Sequence, residues 1–575
     1  MNPVPDIYGG GILLAFSGLD GPTDFDRPLI ASTLPEKVGL RTHFSAGALL
    51  FFEVRPEDIV PSSRNAVAND FWDLAVRTRS IRGRVRMAFV DCYSMVFESP
   101  ARLFPVFFRG RQAQYFHAPT ELISQGLEKD DAELAVVIRR RGRTLRTALA
   151  RADADGRSAS VTARAALATD LDALLARRRA FFRKLPILAN AVPLRQRTEA
   201  KAFSILKVNV ESAQGEIPCR WTTPDRYPHR QMWLWDSGFH AMANRLLDPE
   251  LAKDTLSAVL HLAREDGYVS LCANPHGRLQ KIESQPPVLA WATWRVYESC
   301  RDTDFLRFAY PKLAAFIRWM LENRRSPASD LLQWHVSYEN ERCRCGESGL
   351  DNAPQWDVPG PAEAPDLNGL ICNEFEMLAR IADTLGLSHE AADWRRSRER
   401  FVRLLNERLW DERDGIYYNR GTLDGKLRRV KTLASFYPLL GGVPDARRAR
   451  RLARHLFDPK SFWRPAGLAS TAADDPGYTD DMWRGPVWLV LNYIVACGLA
   501  RCGLRAEADR IARATTRLVE KWYRKTGVIF EFYDAEDRRD PRRLARKGYS
   551  PFHVIEDYHW SAAIYILMRR RDFGA

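Results

Sequence analysis

The sequence lacks the features that mark membrane, disulfide-rich and phosphate-binding proteins. No run approaches the roughly 20 consecutive apolar residues that span a bilayer, and the first residues show no basic segment followed by an apolar core. The nine cysteines are an odd number without framework spacing. No glycine-rich phosphate loop or dinucleotide fingerprint occurs. We therefore expect a protein of a reducing, cytoplasmic compartment that does not contact a membrane.

The sequence also has few residues at the spacing that metal ligands need. Cys343 and Cys345 form a C-x-C pair near His335, but a zinc site needs a fourth ligand and better spacing. The sequence therefore predicts no metal, and nothing in it points to an organic cofactor.

Positive charge exceeds negative charge without being concentrated. The chain has 86 Lys and Arg against 72 Asp and Glu, for a formal net charge of +14. The basic clusters Arg139–Arg141, Arg177–Arg179 and Arg569–Arg571 are short, and acidic residues lie close to most such clusters. A nucleic-acid-binding protein concentrates its basic residues on one face. We therefore predict solvated arginine-rich helix faces and no nucleic-acid partner, with polyanion binding as the alternative that charge alone leaves open.

The first 165 residues are typical of short strands. The chain of 575 residues is long enough for several units, and 46% hydrophobic with 27% charged residues is a globular composition. Turn-rich stretches separate the apolar segments, which suggests an antiparallel β-sandwich over residues 1–165. These segments are Gly11–Phe16, Ala48–Val54, Val85–Val90, Leu103–Phe108 and Leu134–Ile138.

The remaining chain is typical of helices. Ala166–Lys184 has apolar residues at helical spacing and predicts a connecting helix within a linker at 166–195. Residues 196–575 show successive amphipathic helices and no fixed-period repeat, which favours a closed toroid of helical hairpins over a solenoid. The predicted helices are Phe239–Leu247, Ala252–Glu265, Pro287–Cys300, Tyr310–Arg324, Leu367–Leu385, Glu390–Leu409, Ala446–Leu456, Val487–Cys502 and Ala506–Tyr523.

Several segments between helices, or at helix starts, combine tryptophan or tyrosine with acids. They lie at 233–240, 347–357, 480–488 and 530–534, and a further segment at 558–560 combines a tyrosine and a tryptophan with a histidine. Indole faces cover the apolar patches of a sugar ring, while carboxylates and amides bind its hydroxyls. Any single tryptophan also fits core packing, but the recurrence of the combination predicts a carbohydrate site. The tryptophans concerned are Trp233, Trp235, Trp291, Trp356, Trp483, Trp488 and Trp560.

At these residues the chain resembles glycoside hydrolase family 63 and its bacterial mannosylglycerate and glucosylglycerate hydrolases, in a clan shared with family 37 trehalases. The matches are W-x-W-D-x-G-F at 233–239, S-Q-P-P at 284–287, S-G-x-D-N-x-P-x-W-D at 348–357, W-R-G-P-x-W at 483–488 and F-E-x-Y at 530–533. They occur in the family's order and cover roughly residues 195–570, whereas the N-terminal region matches less well.

The resemblance implies an (α/α)6 barrel and an inverting mechanism with two carboxyl groups. The general acid it implies is Asp351, and the general base is Glu531. An inverting pair stands about 6.5–9.5 Å apart, and needs no cofactor. The acid must hold a proton near neutral pH, which partial burial among aromatic residues would favour. The substrate-binding residues we predict are Trp233, Trp235, Asp236, Gln285, Asn352, Trp356, Trp483, Arg484, Gly485, Trp488, His559 and Trp560.

Other acids compete for the two roles, and Asp236 also fits a helix cap. The competing acids are Glu347, Asp357, Asp480, Asp481, Glu536, Glu556 and Asp557. We expect an exo-acting α-glycosidase acting on a small glucoside or mannoside. A trehalase-like disaccharide hydrolase and a non-catalytic carbohydrate-binding protein remain alternatives. A substrate carboxylate would need basic or hydroxyl groups, which Tyr268, His276, Arg278 and Lys281 offer; the sugar and the linkage stay open, and a homo-oligomer is compatible with the sequence.

Overall fold

The chain consists of an N-terminal region of antiparallel strands and a C-terminal region of helices. The computed structural model describes residues 8–43, 47–61, 67–125, 132–189, 191–337, 339–548, 550 and 553–574. Among these, no helix is both long enough and apolar enough to cross a bilayer.

Twelve strands in the described part of residues 8–151 form two six-stranded sheets. In sheet order, the first contains β1, β2, β3, β4, β8 and β9, and the second contains β10, β11, β12, β7, β6 and β5. All neighbouring strands pair antiparallel. The strands are β1 Leu13–Leu14, β2 Ala31–Thr33, β3 Val38–Thr42, β4 Leu49–Phe52, β5 Phe71–Arg77, β6 Arg82–Asp91, β7 Ser94–Pro100, β8 Pro105–Arg109, β9 Gln112–Tyr115, β10 Glu121–Ser124, β11 Leu134–Arg141 and β12 Thr144–Arg151.

The second sheet is covered on both faces. Phe97 on β7 contacts Phe52 of the first sheet, with ring centroids 6.3 Å apart. On the opposite face Phe71 on β5 contacts Phe182, with centroids 6.1 Å apart. Burial on both faces explains why residues 134–138 form an uninterrupted buried run instead of an alternating one.

The predicted single helix at 166–184 is wrong, because the chain breaks there into two helices, α1 Ala159–Leu167 and α2 Leu171–Arg183. The Asp170 carboxylate accepts from the backbone N–H groups of Asp172 and Ala173, which makes it the N-cap of the second helix. Both helices pack on the second sheet.

The other helices confirm the predicted helical region and add two helices, at 193–208 and 559–569, that no predicted segment covered. The full set of helices after the first two is α3 Pro193–Val208, α4 Leu234–Asn244, α5 Pro249–His261, α6 Leu289–Cys300, α7 Thr303–Asn323, α8 Pro365–Thr384, α9 Ser388–Arg408, α10 Ala446–Phe457, α11 Leu489–Arg501, α12 Arg505–Thr526 and α13 His559–Arg569.

The contacts between successive helices form a closed series. α4 packs on α6, α6 on α8, α8 on the 3-10 segment 433–439, that segment on α11, α11 on α13, and α13 returns to α4. α4 and most of α11 and α13 are buried on every side, whereas α9 and α12 expose charged faces. Burial all round is the pattern of an inner helix, and one exposed face is that of an outer helix.

Candidate active site

A cavity of about 260 Å³ lies where the N-terminal ends of four helices, α4, α6, α11 and α13, meet the loops near 350, 530 and 546. The loops bring far-separated parts of the chain to one place, as the motif segments predict. Of the predicted residues, those that line the cavity are Trp233, Trp235, Asp236, Gln285, Asp351, Trp483, Trp488, Glu531 and Trp560.

The loop that carries Asp351 is closed by backbone contacts. The amide groups of Arg344 and Cys345 both donate to the Asp351 carbonyl oxygen, at 3.0 and 3.3 Å. The Trp356 indole donates to the carbonyl oxygen of Leu350 at 3.1 Å, which folds the far side of the loop back. The Asp351 carboxylate is thereby presented to the cavity, where its Oδ2 atom lies 2.5 Å from Nζ of Lys547.

The Glu531 carboxylate is buried and held by three donors. Nε of Arg546 lies 3.1 Å from Oε2, and Nη2 of Arg546 lies 3.3 Å from Oε1. The Ile555 amide also donates to Oε2, at 3.2 Å. Oε2 therefore accepts two hydrogen bonds and Oε1 one weak one, so Oε1 retains capacity to accept a proton from a bound water.

Arg546 is itself held from behind by His229 and Asp225. A guanidinium can only donate, so Nε2 of His229, 3.0 Å from Nη2 of Arg546, must be the acceptor. The proton of that imidazole then lies on Nδ1 and is donated to Asp225 Oδ2 at 2.8 Å. Asp225, His229, Arg546 and Glu531 thus form one connected chain that fixes the orientation of the Glu531 carboxylate.

The indoles around the cavity pack on one another and leave donors unpaired. Trp483 and Trp488 are stacked with ring centroids 3.5 Å apart, and Trp235 meets Trp560 edge-on at 4.7 Å. Trp488 donates to the carbonyl oxygen of Met482. Among the described residues, the buried indole N–H groups of Trp233, Trp235, Trp483 and Trp560 have no hydrogen-bond partner. Buried donors are normally paired, so these four N–H groups, on residues that line the cavity, are exceptions to that pattern.

Asp236 lies in the first turn of α4 and lines the cavity with only 4% of its surface exposed. The pKa of the Asp236 carboxyl is raised to about 8, first by burial and then by nearby carboxylates, Glu531 and Asp351 among them. At neutral pH the group therefore carries a proton and can both donate to and accept from a sugar hydroxyl. The Gln285 side chain caps the same helix, because its Oε1 accepts from the Trp235 amide at 2.9 Å.

Five predicted binding residues are not brought to the cavity: Asn352, Trp356, Arg484, Gly485 and His559. Asn352 joins two loops, because its Oδ1 accepts from the Trp483 amide at 3.2 Å. Arg484 pairs with Asp357. His559 is fully buried, stacks on His240 with ring centroids 3.6 Å apart, and hydrogen-bonds the Thr223 carbonyl oxygen. Burial lowers the pKa of His559 to about 3, so its imidazole is neutral.

The competing acids are all engaged outside the cavity lining. Glu347 is fully buried, pairs with Arg324, and accepts from the amides of Ser284 and His335. This makes it a structural anchor for two loops. The others bind elsewhere as well: Asp357 to Arg344 and Arg484, Asp480 to Arg539, Asp481 to the Gly548 amide, Glu536 to Arg464, Glu556 to Arg542, and Asp557 to Lys201.

Sequence reasoning missed several lining residues, among them His229, Glu283, Arg546 and Lys547. Arg546 and Lys547 follow a run in which basic residues are frequent, so no local signal separates them from solvated arginines. The basic and hydroxyl-bearing loop residues weighed for a substrate carboxylate lie outside the lining. They are Tyr268, His276, Arg278 and Lys281. Within the described ranges, no group of three or more His, Cys, Asp or Glu side chains could hold a metal ion.

Comparison with known proteins identifies relatives of this chain. The model of the mannosylglycerate hydrolase MGH1-like glycoside hydrolase domain matches residues 227–561. Mannosylglycerate hydrolase from Rubrobacter radiotolerans is 24% identical over 400 residues, which are 54% of this chain and 86% of that protein.

Two crystal structures are also similar. A mannosylglycerate hydrolase of glycoside hydrolase family 63 from Thermus thermophilus, in complex with glucose, is 25% identical with a TM-score of 0.53, covering 65% of this chain and all 100% of that one. A bacterial glucoamylase complexed with acarbose is 12% identical with a TM-score of 0.61, covering 100% of this chain and 97% of that one. At that identity the second similarity shows the fold alone.

Proposed function

The chain belongs to the mannosylglycerate hydrolase MGH1-like glycoside hydrolase domain family and is a glycoside hydrolase, and we propose that it is an inverting, exo-acting α-glycosidase. Its proposed substrate is a small glucoside or mannoside of the glucosylglycerate or mannosylglycerate kind, or a small α-linked disaccharide or oligosaccharide. The observation that carries the proposal is the cavity itself. Asp351 and Glu531 line it together with four indoles whose N–H donors are unpaired.

In the proposed reaction Asp351 is the general acid. Its carboxylic proton passes to the glycosidic oxygen as the bond between that oxygen and the anomeric carbon breaks, and the leaving group departs as an alcohol. Glu531 is the general base on the opposite face of the ring and takes a proton from the attacking water. The hydroxyl forms a new bond to the anomeric carbon, which inverts its configuration. Solvent then reprotonates Asp351 and deprotonates Glu531.

Three further groups support this assignment. The Arg546 guanidinium binds both Glu531 oxygens and orients the carboxylate. The protonated Asp236 carboxyl suits a pair of adjacent sugar hydroxyls, one as donor and one as acceptor. The indoles of Trp235, Trp483 and Trp560 line the cavity and offer apolar ring surface to a pyranose.

We propose the same architecture that the sequence predicts, a β-sandwich at 1–165, a linker at 166–195 and an (α/α)6 toroid at 196–575. The closed order of contacts from α4 through α6, α8, the segment 433–439, α11 and α13 back to α4 supports six inner elements. The site then lies at the end of the toroid where the inner helices begin.

Two substitutions test the catalytic roles. Asp351→Asn and Glu531→Gln keep the size of each side chain while removing its proton-transfer ability. We expect each to lower kcat by about 10²–10⁴-fold on a hydrolysed substrate, because general acid–base catalysis contributes that much. The panel contains glucosylglycerate, mannosylglycerate, trehalose and kojibiose, scored by product release.

Asp357→Asn is the matched control, since this acid lies near Asp351 in the chain but is exposed and outside the cavity lining. Near-wild-type turnover by either active-site variant would remove that residue from its role. NMR of the first-formed anomer tests inversion separately, and a retained configuration would exclude the mechanism. Turnover of trehalose in preference to the glycerates would favour the trehalase-like alternative, and sugar binding without hydrolysis of any substrate would favour a non-catalytic protein.

A further inference from the structure

The proposed general acid has a partner that opposes its function. Nζ of Lys547 lies 2.5 Å from Oδ2 of Asp351, with 23% and 17% of the two side chains exposed. An ammonium group at this distance stabilises the ionised form of a carboxyl group. A general acid must instead carry a proton when the glycosidic bond breaks. Lys547 therefore has to leave Asp351 before the reaction can occur.

The structure fixes the backbone of Lys547 and leaves its side chain long enough to move. Lys547 and Gly548 both have positive φ angles, 50° and 66°, an uncommon conformation for a lysine. Gly548 donates to Asp481 Oδ2 at 2.9 Å, and the Ala545 carbonyl accepts from the Met482 amide at 3.1 Å. The segment is thus anchored on both sides of Lys547. The flexible four-carbon stem can still carry the ammonium to a nearby acceptor.

The groups around Asp351 determine which acceptor the Lys547 ammonium could bind after it leaves Asp351. Asp351 interacts electrostatically with Lys547, Cys343, Glu283 and Asp236. Burial raises the pKa of the Cys343 thiol to about 12, so the thiol is not a competing anion, and burial also raises the pKa of Glu283. Arg546 is already committed to Glu531 and His229. An anionic group on a bound ligand beside Asp351 would be a new partner for Lys547.

We propose that Lys547 is a specificity-determining residue. Its ammonium leaves Asp351 and pairs instead with a carboxylate on the leaving group of the substrate. This inference rests on the proposed function, because the leaving group is the part of the substrate that Asp351 protonates. When the substrate carboxylate pairs with Lys547, the Asp351 carboxyl loses its cation and takes a proton from solvent. It then gives this proton to the glycosidic oxygen. A neutral leaving group offers Lys547 no new partner, so Lys547 leaves Asp351 less often and the substrate is cleaved more slowly.

The experiment compares two leaving groups that differ only in charge. The substrates are glucosylglycerate and its methyl ester, or the mannosyl pair if mannose is the sugar that the wild type hydrolyses. We expect the wild type to prefer the acid to the ester by about 10- to 100-fold in kcat/KM, which is the range for one charge-assisted hydrogen bond. Lys547→Met should abolish the preference, mainly by raising KM for the acid. Lys547→Arg should keep most of it.

The difference between the two substrates separates the proposed exchange from a purely structural role, because a structural loss would lower kcat/KM for the acid and the ester alike. Lys431→Met removes a lysine from a similar part-exposed pair with Asp474, outside the cavity lining. We expect this control to leave the preference unchanged.

Two outcomes overturn the inference while the proposed function stands. One is an equal loss of kcat/KM for acid and ester in Lys547→Met, and the other is a wild type that hydrolyses both equally well. If the wild type hydrolyses no glycoside of the wider panel, the proposed function itself fails. The two failures are therefore distinguished by the wild type alone.

Discussion

Asp236 shows how burial changes the chemistry of a residue whose type the sequence displays plainly. The motif places an aspartate after Trp235 at the start of α4, where an ionised carboxylate would be stabilised by the helix dipole. Burial outweighs that effect, since the pKa rises to about 8. The residue therefore enters the cavity as a carboxylic acid, a protonation state that the motif alone does not indicate.

This shift has a consequence for stability. A free aspartate titrates at about 3.9, and the folded value of Asp236 is about 8. The folded state therefore holds this proton more tightly than the unfolded state. The stabilisation is fully present below about pH 3.9 and is lost as the pH rises to about 8. Asp236→Asn removes this dependence, so we expect its Tm to fall less steeply between pH 4 and 8 than that of the wild type.

Thermal unfolding across this pH range measures the effect. Asp357→Asn makes the same substitution at a carboxylate that is 39% exposed and outside the cavity lining, and serves as the control. Wild-type and Asp236→Asn curves that run parallel would show that Asp236 is not the group responsible.

At the scale of elements, the cavity depends on close packing between the loop that carries Asp351 and the first turn of α4. Gly349 has a φ of 68°, and a Cβ atom there would lie 2.1 Å from Cζ3 of Trp235. The absence of a side chain lets the loop of Asp351 press against the first turn of α4. The general acid loop and the indole that lines the sugar site are thus positioned by one contact.

Gly349→Ala should therefore damage activity more than stability alone explains. We expect a loss of at least about tenfold in kcat/KM, because misplaced catalytic groups lose their alignment with the substrate. Gly386→Ala is the matched control, since Gly386 also has a positive φ of 77° but has no atom within 4 Å of a Cβ position. Both variants carry similar backbone strain, about 1–2 kcal/mol.

Steady-state kinetics and Tm, measured on both variants, separate the two effects. Equal losses of activity in Gly349→Ala and Gly386→Ala would mean that backbone strain, and not the contact with Trp235, is responsible.

At the scale of the whole molecule, one buried carboxylate joins the strand region to the active-site loops. Oδ2 of Asp557 accepts from the Leu13 amide, the Asn69 side chain and Lys201, and Oδ1 accepts from the Ile529 amide. Residue 557 directly precedes Tyr558, which lines the cavity, and Ile529 lies two residues before Glu531. The N-terminal region therefore contributes to the position of the proposed general base.

Lys201→Met should destabilise the protein strongly. It leaves the Asp557 charge buried without its cation, which costs about 3–5 kcal/mol when a buried pair is broken. Lys37→Met removes an exposed pair with Glu53, whose side chains are 35% and 52% exposed, and should cost at most about 1 kcal/mol. Thermal or urea-induced unfolding compares the two. Similar shifts for both variants would show that the buried pair is no stronger an anchor than the surface pair.

The sequence by itself determined the element types and the chemistry of the loops. Apolar periodicity predicted ten helices; the structure confirms nine of them over most of their predicted length and breaks the tenth, at 166–184, into two. Strand-like segments predicted the antiparallel N-terminal region. The recurrence of tryptophan beside acids indicated a carbohydrate site, and most of the indoles named there do line the cavity. These features are local, so the residues that decide them are neighbours in the chain.

Only the tertiary structure decided which side chains share the cavity and in what proton state. His559 and Trp356 lie within the predicted carbohydrate-binding segments, yet both are buried outside the cavity lining. Arg546 and Lys547 have no distinguishing sequence pattern, yet they bind the two proposed catalytic carboxylates. Burial of Asp236 and the pairing of Lys547 with Asp351 arise from groups far apart in sequence. Electrostatic interactions and desolvation act through space, so they exist only once the loops have closed on one another.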